Sequence, residues 1–245
     1  MKRVNVLSFL FILFIFLLWE CLVRWMAVPA FIVPAPSTVL ITATVRAPEI
    51  YPHAAVTLAE ILLGIVLAVF TSVPLAIAMF AKPVIEKTLA PFLVASQAIP
   101  VFALAPLLVI WLGYGMASKV FMAWVIIFFP ICVSLLEGLK SCDPEFRTLF
   151  RLMGASFFQT LRLLYWPWAL PRFFTGLKVG VTVATIGAVI GEWVGAQQGL
   201  GFLMIQSNAR LQTDLVFAAI LWLTVIGLTL WWLVGRLEKK IITWK

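Results

Sequence analysis

The chain has little charge. Only 11% of its 245 residues are Asp, Glu, Lys or Arg, while 64% are hydrophobic. A soluble surface needs roughly a quarter or more of charged residues, so a soluble globular domain is excluded. Histidine is almost absent: His53 is alone, which leaves metal and histidine-base chemistry little to work with. The three cysteines, Cys21, Cys132 and Cys142, have no paired spacing, so they read as structural thiols rather than a metal or redox site. No GxxxxGK[ST] phosphate loop occurs, so nothing here argues for ATP hydrolysis by this chain. No internal repeat stands out, which weakens a transporter built from inverted halves. No cluster of titratable residues supports an enzyme.

Long apolar runs are what the chain does have. Mean hydropathy is +1.11. Windows of about twenty apolar residues give six spans: Leu7–Val28, Ala54–Phe80, Leu89–Leu112, Ser118–Gly138, Phe173–Val194 and Leu215–Leu237. The expected fold class is all-α, a polytopic membrane protein with six transmembrane helices in one domain over residues 1–245. Pro91, Pro100 and Pro106 interrupt the third span. The first run lacks a small-residue cleavage site, and bulky Trp19 and Glu20 precede Cys21, so it reads as an uncleaved span. Trp19, Trp25, Trp111, Trp193, Trp231 and Trp244 lie near span ends, as interfacial aromatics do.

The net charge of +8 is a matter of topology, not nucleic acid. With the N-terminus inside, 14 of the 18 basic residues fall on the cytoplasmic side. Arg24, Arg46, Lys119 and Arg210 fall outside. That asymmetry predicts both termini in the cytoplasm and contact with anionic lipid.

One polar interruption is long. Ser141–Arg172 reads as two short helices outside the bilayer. Asp143 can N-cap the first, with Pro144 at its first position and Glu145 in its first turn. Phe146, Leu149, Phe150 and Met153 make one apolar face, and Arg147 and Arg151 share another. Gly154 ends that helix. Ser156 and Gln159 match a capping box that opens the second, and Pro167 and Pro171 are expected to stop it. Such a loop presents itself to a partner.

These residues resemble the permease subunits of ATP-binding cassette importers. Their signature loop runs EAA, three residues, Gly, nine residues, then hydrophobic-x-hydrophobic-Pro. Here Gly154 is followed nine residues later by Leu164-Tyr165-Trp166-Pro167, whereas Thr148, Leu149 and Phe150 stand in place of EAA. FIVPAPSTV, TLAEILLG, QAIPVFALAPLLVIWLGYG, GASFFQ and GAVIGEWVGAQQGLGFLMIQS, in that order, are similar to the branch for nitrate, sulfonates, taurine and pyrimidines. AIPVFALAPLLVIWLGYGMASKV and GAVIGEW look most like permeases for hydroxymethylpyrimidine-type thiamine precursors.

The resemblance implies a type I importer permease fold in a bacterial inner membrane. It implies a second permease copy, two cytoplasmic ATP-binding subunits and an extracytoplasmic solute-binding protein as partners. ATP is then used by the partner subunit, and this chain binds no cofactor and no metal. The loop at residues 143–171 becomes the ATPase-coupling loop, carried by Arg147, Arg151, Gly154, Ala155, Ser156, Gln159, Pro167 and Pro171. A self-sufficient secondary transporter or channel, or a membrane scaffold, stays open as an alternative. Neither needs a docking loop.

Candidate residues for a translocation path come from polar groups inside the spans. Ser96 and Gln97 precede Pro100 where the backbone is interrupted, and such backbone must be buried in protein or line water. Gly176, Gly180, Gly187 and Gly191 put small residues along one side of the fifth span, with Thr182 and Thr185 beside them. A path-lining or subunit-interface helix and packing within one subunit both fit. Glu192 is either functional or an interfacial carboxylate reaching water. Glu60 is either pore-facing or an interhelical hydrogen-bonding group. Glu20 and Arg24, four apart, are expected to pair.

Overall fold

The computed structural model describes residues 2–244, and all regular structure among them is helical. The helices are α1 (Lys2–Trp25), α2 (Pro36–Val45), α3 (Ala47–Ala81), α4 (Pro83–Ser96), α5 (Val101–Leu112), α6 (Met116–Lys140), α7 (Pro144–Leu152), α8 (Phe157–Thr160), a π-turn (Leu161–Tyr165), α9 (Trp166–Trp193), α10 (Leu200–Ala209) and α11 (Thr213–Ile241). Of the basic residues assigned inside, the side chains of Lys2 and Arg3, and Lys245 itself, lie outside the described residues.

Among the described residues, four helical runs are long and apolar enough to cross a bilayer: α3, α6, Phe157–Trp193 and α11. The pair α4 and α5 bends by 101° and makes a broken fifth. The third expected span is therefore not one rod. Pro100 cannot donate a backbone hydrogen bond and disfavours a helical residue before it, so the helix stops at Ser96 and restarts at Val101. The first expected span, Leu7–Val28, falls on α1, 24 residues long, where Phe9, Phe11 and Phe14 are exposed.

The chain forms two compact units. One comprises residues 1–56 and 197–225. Ile50, Leu200, Leu203 and Leu215 are buried in it, and polar side chains also tie its helices together. Thr42 donates to Asp214 at 2.9 Å, and the Trp222 indole donates to the Ala43 carbonyl at 3.2 Å. Glu20 accepts from Arg24 at 2.6 Å, as its spacing predicted, and also from the Ser37 backbone N–H at 2.9 Å. The Gly199 N–H donates to His53 Nδ1 at 3.1 Å, so the lone histidine serves as an acceptor here.

The other unit comprises residues 57–196 and 226–245. Its core is α6 against α9. Ile127, Ile131 and Leu135 of α6 and Val181, Ala184 and Ala188 of α9 are fully buried. Glycine sets how closely the two axes approach. A β-carbon on Gly176 would lie 2.5 Å from the Pro130 carbonyl oxygen, and one on Gly187 would lie 2.9 Å from Ala123 Cα. The small-residue stripe of the fifth span thus faces α6 of its own chain. Of the two readings left open by the sequence, packing within one subunit is the one realised at Gly176, Gly180, Gly187 and Gly191.

Pro167 and Pro171 do not stop a helix. The chain runs from α8 through the π-turn into α9, with Pro167 in the first turn of α9 and Pro171 inside it. A wider π-turn just before Pro167 relieves the i→i−4 pattern that a proline cannot complete.

Candidate translocation groove and coupling loop

The loop geometry follows the capping signals. Asp143 accepts from the Glu145 N–H at 2.9 Å and starts α7. Gly154 adopts φ +70°, a conformation a β-carbon disfavours, and the Ala155 N–H closes back on the Phe150 carbonyl at 3.1 Å. Ser156 and Gln159 form the reciprocal capping box. The apolar face of α7 covers no core: Leu149 is half-exposed and Leu152 and Met153 are 81% and 74% exposed. Phe157 and Phe158 of α8 are exposed too.

Arg147 and Arg151 part ways. Arg147 turns inward, donating to the Lys140 carbonyl and lying 5.7 Å from the Tyr165 ring centre. Arg151 stays on the surface. Arg147 therefore braces the loop, and the exposed apolar side chains form its outward surface. Beside it, burial pushes the Cys142 thiol above its ordinary value, which keeps it neutral and unreactive.

Ser96 and Gln97 open onto a groove of about 630 Å³. The α4–α5 break, α6 and α9 line it, with Val125, Phe129, Val179 and Ile186 among its apolar walls. Ser134 and Glu137 of α6 complete its polar groups. Ser96 Oγ donates to the Leu93 carbonyl at 2.7 Å and accepts from Gln97 Nε2 at 3.4 Å. Thr182 lines a neighbouring groove of about 460 Å³ with Thr175, Lys178 and Trp231. Val179 and Val183 line both and form the ridge between them. Lys178 forms an ion pair with Glu238.

The other candidates lie elsewhere. Thr185 is half-buried, and its methyl lies 3.3 Å from where a β-carbon on Gly227 of α11 would sit. Gly187 is enclosed by Ala123, Ile126 and Met122. Glu192 is 1% exposed and accepts from the Thr57 hydroxyl at 2.6 Å, so it does not reach water as an interfacial group. Glu60 of α3 is 3% exposed, and its buried Oε2 has no hydrogen-bond partner.

Lys119, counted among outer-loop charges, is folded in as well: it is 2% exposed and donates to the Tyr114 carbonyl at 2.5 Å. Three ionisable side chains from α3, α6 and α9 thus meet in the interior. A buried ammonium near two carboxyl groups offsets part of their desolvation.

The residues missed by sequence reasoning are Ser134, Glu137, Val179, Val183, Ile186 and Ile190. The last four recur at helical spacing along α9, but an apolar stripe reads the same whether it meets lipid, protein or a groove.

The comparisons with known proteins agree with this geometry. The family model described as "Binding-protein-dependent transport system inner membrane component" matches residues 60–243. A probable ABC transporter permease protein of Haemophilus influenzae is 42% identical over 92% of this chain and 92% of its own length. The formylaminopyrimidine transport permease protein ThiX of Halalkalibacterium halodurans is 36% identical over 96% of this chain and 94% of its own. Among solved structures, an inward-facing form of the MetNI methionine ABC transporter matches with a TM-score of 0.68 at 16% identity, covering 77% of this chain and 94% of that one. That likeness establishes the fold.

Proposed function

Because the chain belongs to the family of binding-protein-dependent transport system inner-membrane components, and is the permease subunit of such an importer rather than its ATPase, we propose how it works and what it carries. Membership implies ATP-binding subunits and a solute-binding protein as partners. The cargo in our reading is a small pyrimidine, a thiamine precursor of the hydroxymethyl- or formylaminopyrimidine kind. The observation that carries this is the likeness to ThiX along nearly the whole of both chains.

The path in this reading is the groove lined by Ser96, Gln97, α6 and α9. Non-helical backbone at bilayer depth must face protein or water, and the break after Ser96 is exposed. A second copy of the chain closes the groove. No residue of α4 is buried, and Phe92 and Val94 are 69% and 66% exposed. Both termini are cytoplasmic, which puts α7 and α8 where an ATPase can grip them. ATP-driven movement of that loop then switches the groove between faces.

The test is ATP-dependent uptake of labelled hydroxymethylpyrimidine into liposomes holding the permease, its ATP-binding subunits and its binding protein. Uptake that requires all three supports the reading. Uptake of taurine or an alkanesulfonate in preference to the pyrimidine would overturn the cargo. Uptake without the ATP-binding subunits would overturn the mechanism.

A further inference from the structure

The groove's lining has a sign. Of the residues that line it, Glu137 is the one that ionises, and no Lys, Arg or His joins it. The remaining polar groups, Ser96, Gln97 and Ser134, are neutral. Arg172 pairs with Glu137 at 3.7 Å but does not line the groove, so of that pair it is the carboxylate that faces it. An anion in the groove would meet apolar walls and a carboxylate, with no cation among the lining residues to replace its water. A charge in a narrow apolar passage is costly unless something compensates it, and charged side chains at a mouth select by sign.

We propose that Glu137 is a specificity-determining residue that makes this groove favour neutral and cationic solutes over anions such as sulfonates. This rests on the groove being the path. Glu137 sits on α6 three residues before the helix ends at Lys140, at the end from which the coupling loop leaves, so it guards the cytoplasmic mouth. It is 61% exposed, so its replacement leaves the core intact. With a second copy in place, two such carboxylates face the passage.

The experiment reads the potential directly. Ser134 lines the groove one turn from Glu137. In the complete transporter in liposomes, with Cys21, Cys132 and Cys142 replaced, Ser134→Cys is reacted with thiosulfonate reagents bearing either an ammonium or a sulfonate group. The expected result is a rate favouring the cation by about tenfold. Glu137→Gln leaves the Arg172 charge unbalanced and is expected to abolish or reverse that preference, and Glu137→Asp to retain it.

Equal rates for both reagents, unchanged by Glu137→Gln, overturn the selectivity while leaving the path standing. No reaction with either reagent in any nucleotide state overturns the path itself, and the selectivity with it. The two failures are thereby told apart.

Discussion

The Thr57 hydroxyl donates to Glu192 Oε1 at 2.6 Å, joining α3 to α9 across 135 residues of sequence. Thr57 is fully enclosed and Glu192 is 1% exposed. An acceptor so placed has no water to turn to. Glu192 therefore belongs to the interior of the permease, where its partners are side chains of the protein itself.

Thr57→Val removes the donor at nearly constant volume. The expected cost is about 1–3 kcal/mol for a buried acceptor left short of a partner, read as a lower unfolding midpoint in detergent. Glu192→Gln still accepts and is expected to cost less. If Glu192→Gln abolishes uptake with no loss of stability, the carboxylate handles cargo and the packing role is wrong.

Gly187→Ala pushes a methyl to 2.9 Å from Ala123 Cα. Backbone cannot yield as a side chain can, so overpacking is expected to cost about 1–3 kcal/mol. Gly235→Ala is the control: its new methyl meets only the flexible Lys178 side chain, at 3.6 Å. Thermal unfolding of both variants should show a clear drop for the first and almost none for the second. Equal behaviour would mean α6 and α9 are not in close register.

Gly154→Val meets no atom within 4 Å, yet forces a branched residue to φ +70°. The penalty is local, about 1–2 kcal/mol of backbone strain, and falls on the turn between α7 and α8. The variant should reach the membrane in normal amount, bind its ATPase at least tenfold more weakly and lose coupled transport. Leu152→Asp, at a side chain 81% exposed, should also weaken ATPase binding while leaving the unfolding midpoint alone. Normal co-purification of the ATPase with both variants would remove α7 and α8 from the docking surface.

The basic-residue asymmetry is tested from outside. On a background lacking Cys21, Cys132 and Cys142, a cysteine at Arg210 should react with an impermeant thiol reagent in intact cells, and one at Arg151 should not. Both residues are exposed, so access depends on sidedness alone. Comparable labelling of the two would reverse the assignment.

Local chemistry made much of this legible in advance. Asp143, Gly154 and the Ser156–Gln159 box act within one turn of helix, so a string of residues suffices to find them. The Glu20–Arg24 pair is local for the same reason. Pro167 and Pro171 misled because a proline's effect depends on the preceding turn, and a π-turn there accommodates them. Glu192, Glu60 and Lys119 were visible as charges in apolar runs, but their meeting was not: they come from three helices brought together only by packing.

The sequence by itself determined the membrane class, the broken third span, the asymmetry of its basic residues and the capped loop, because hydrophobic length, proline geometry and helix capping act over a few residues. It also determined the family, through residues in order along the whole chain. Tertiary structure decided which face of each helix meets what. The glycine stripe turned to α6, Glu192 turned to Thr57, and the groove fell to Ser96, Gln97, Glu137 and an apolar edge of α9. Lipid, protein interior and an apolar groove wall all accept the same side chains, so in a membrane helix polarity alone does not tell them apart, and only the packing of neighbours does.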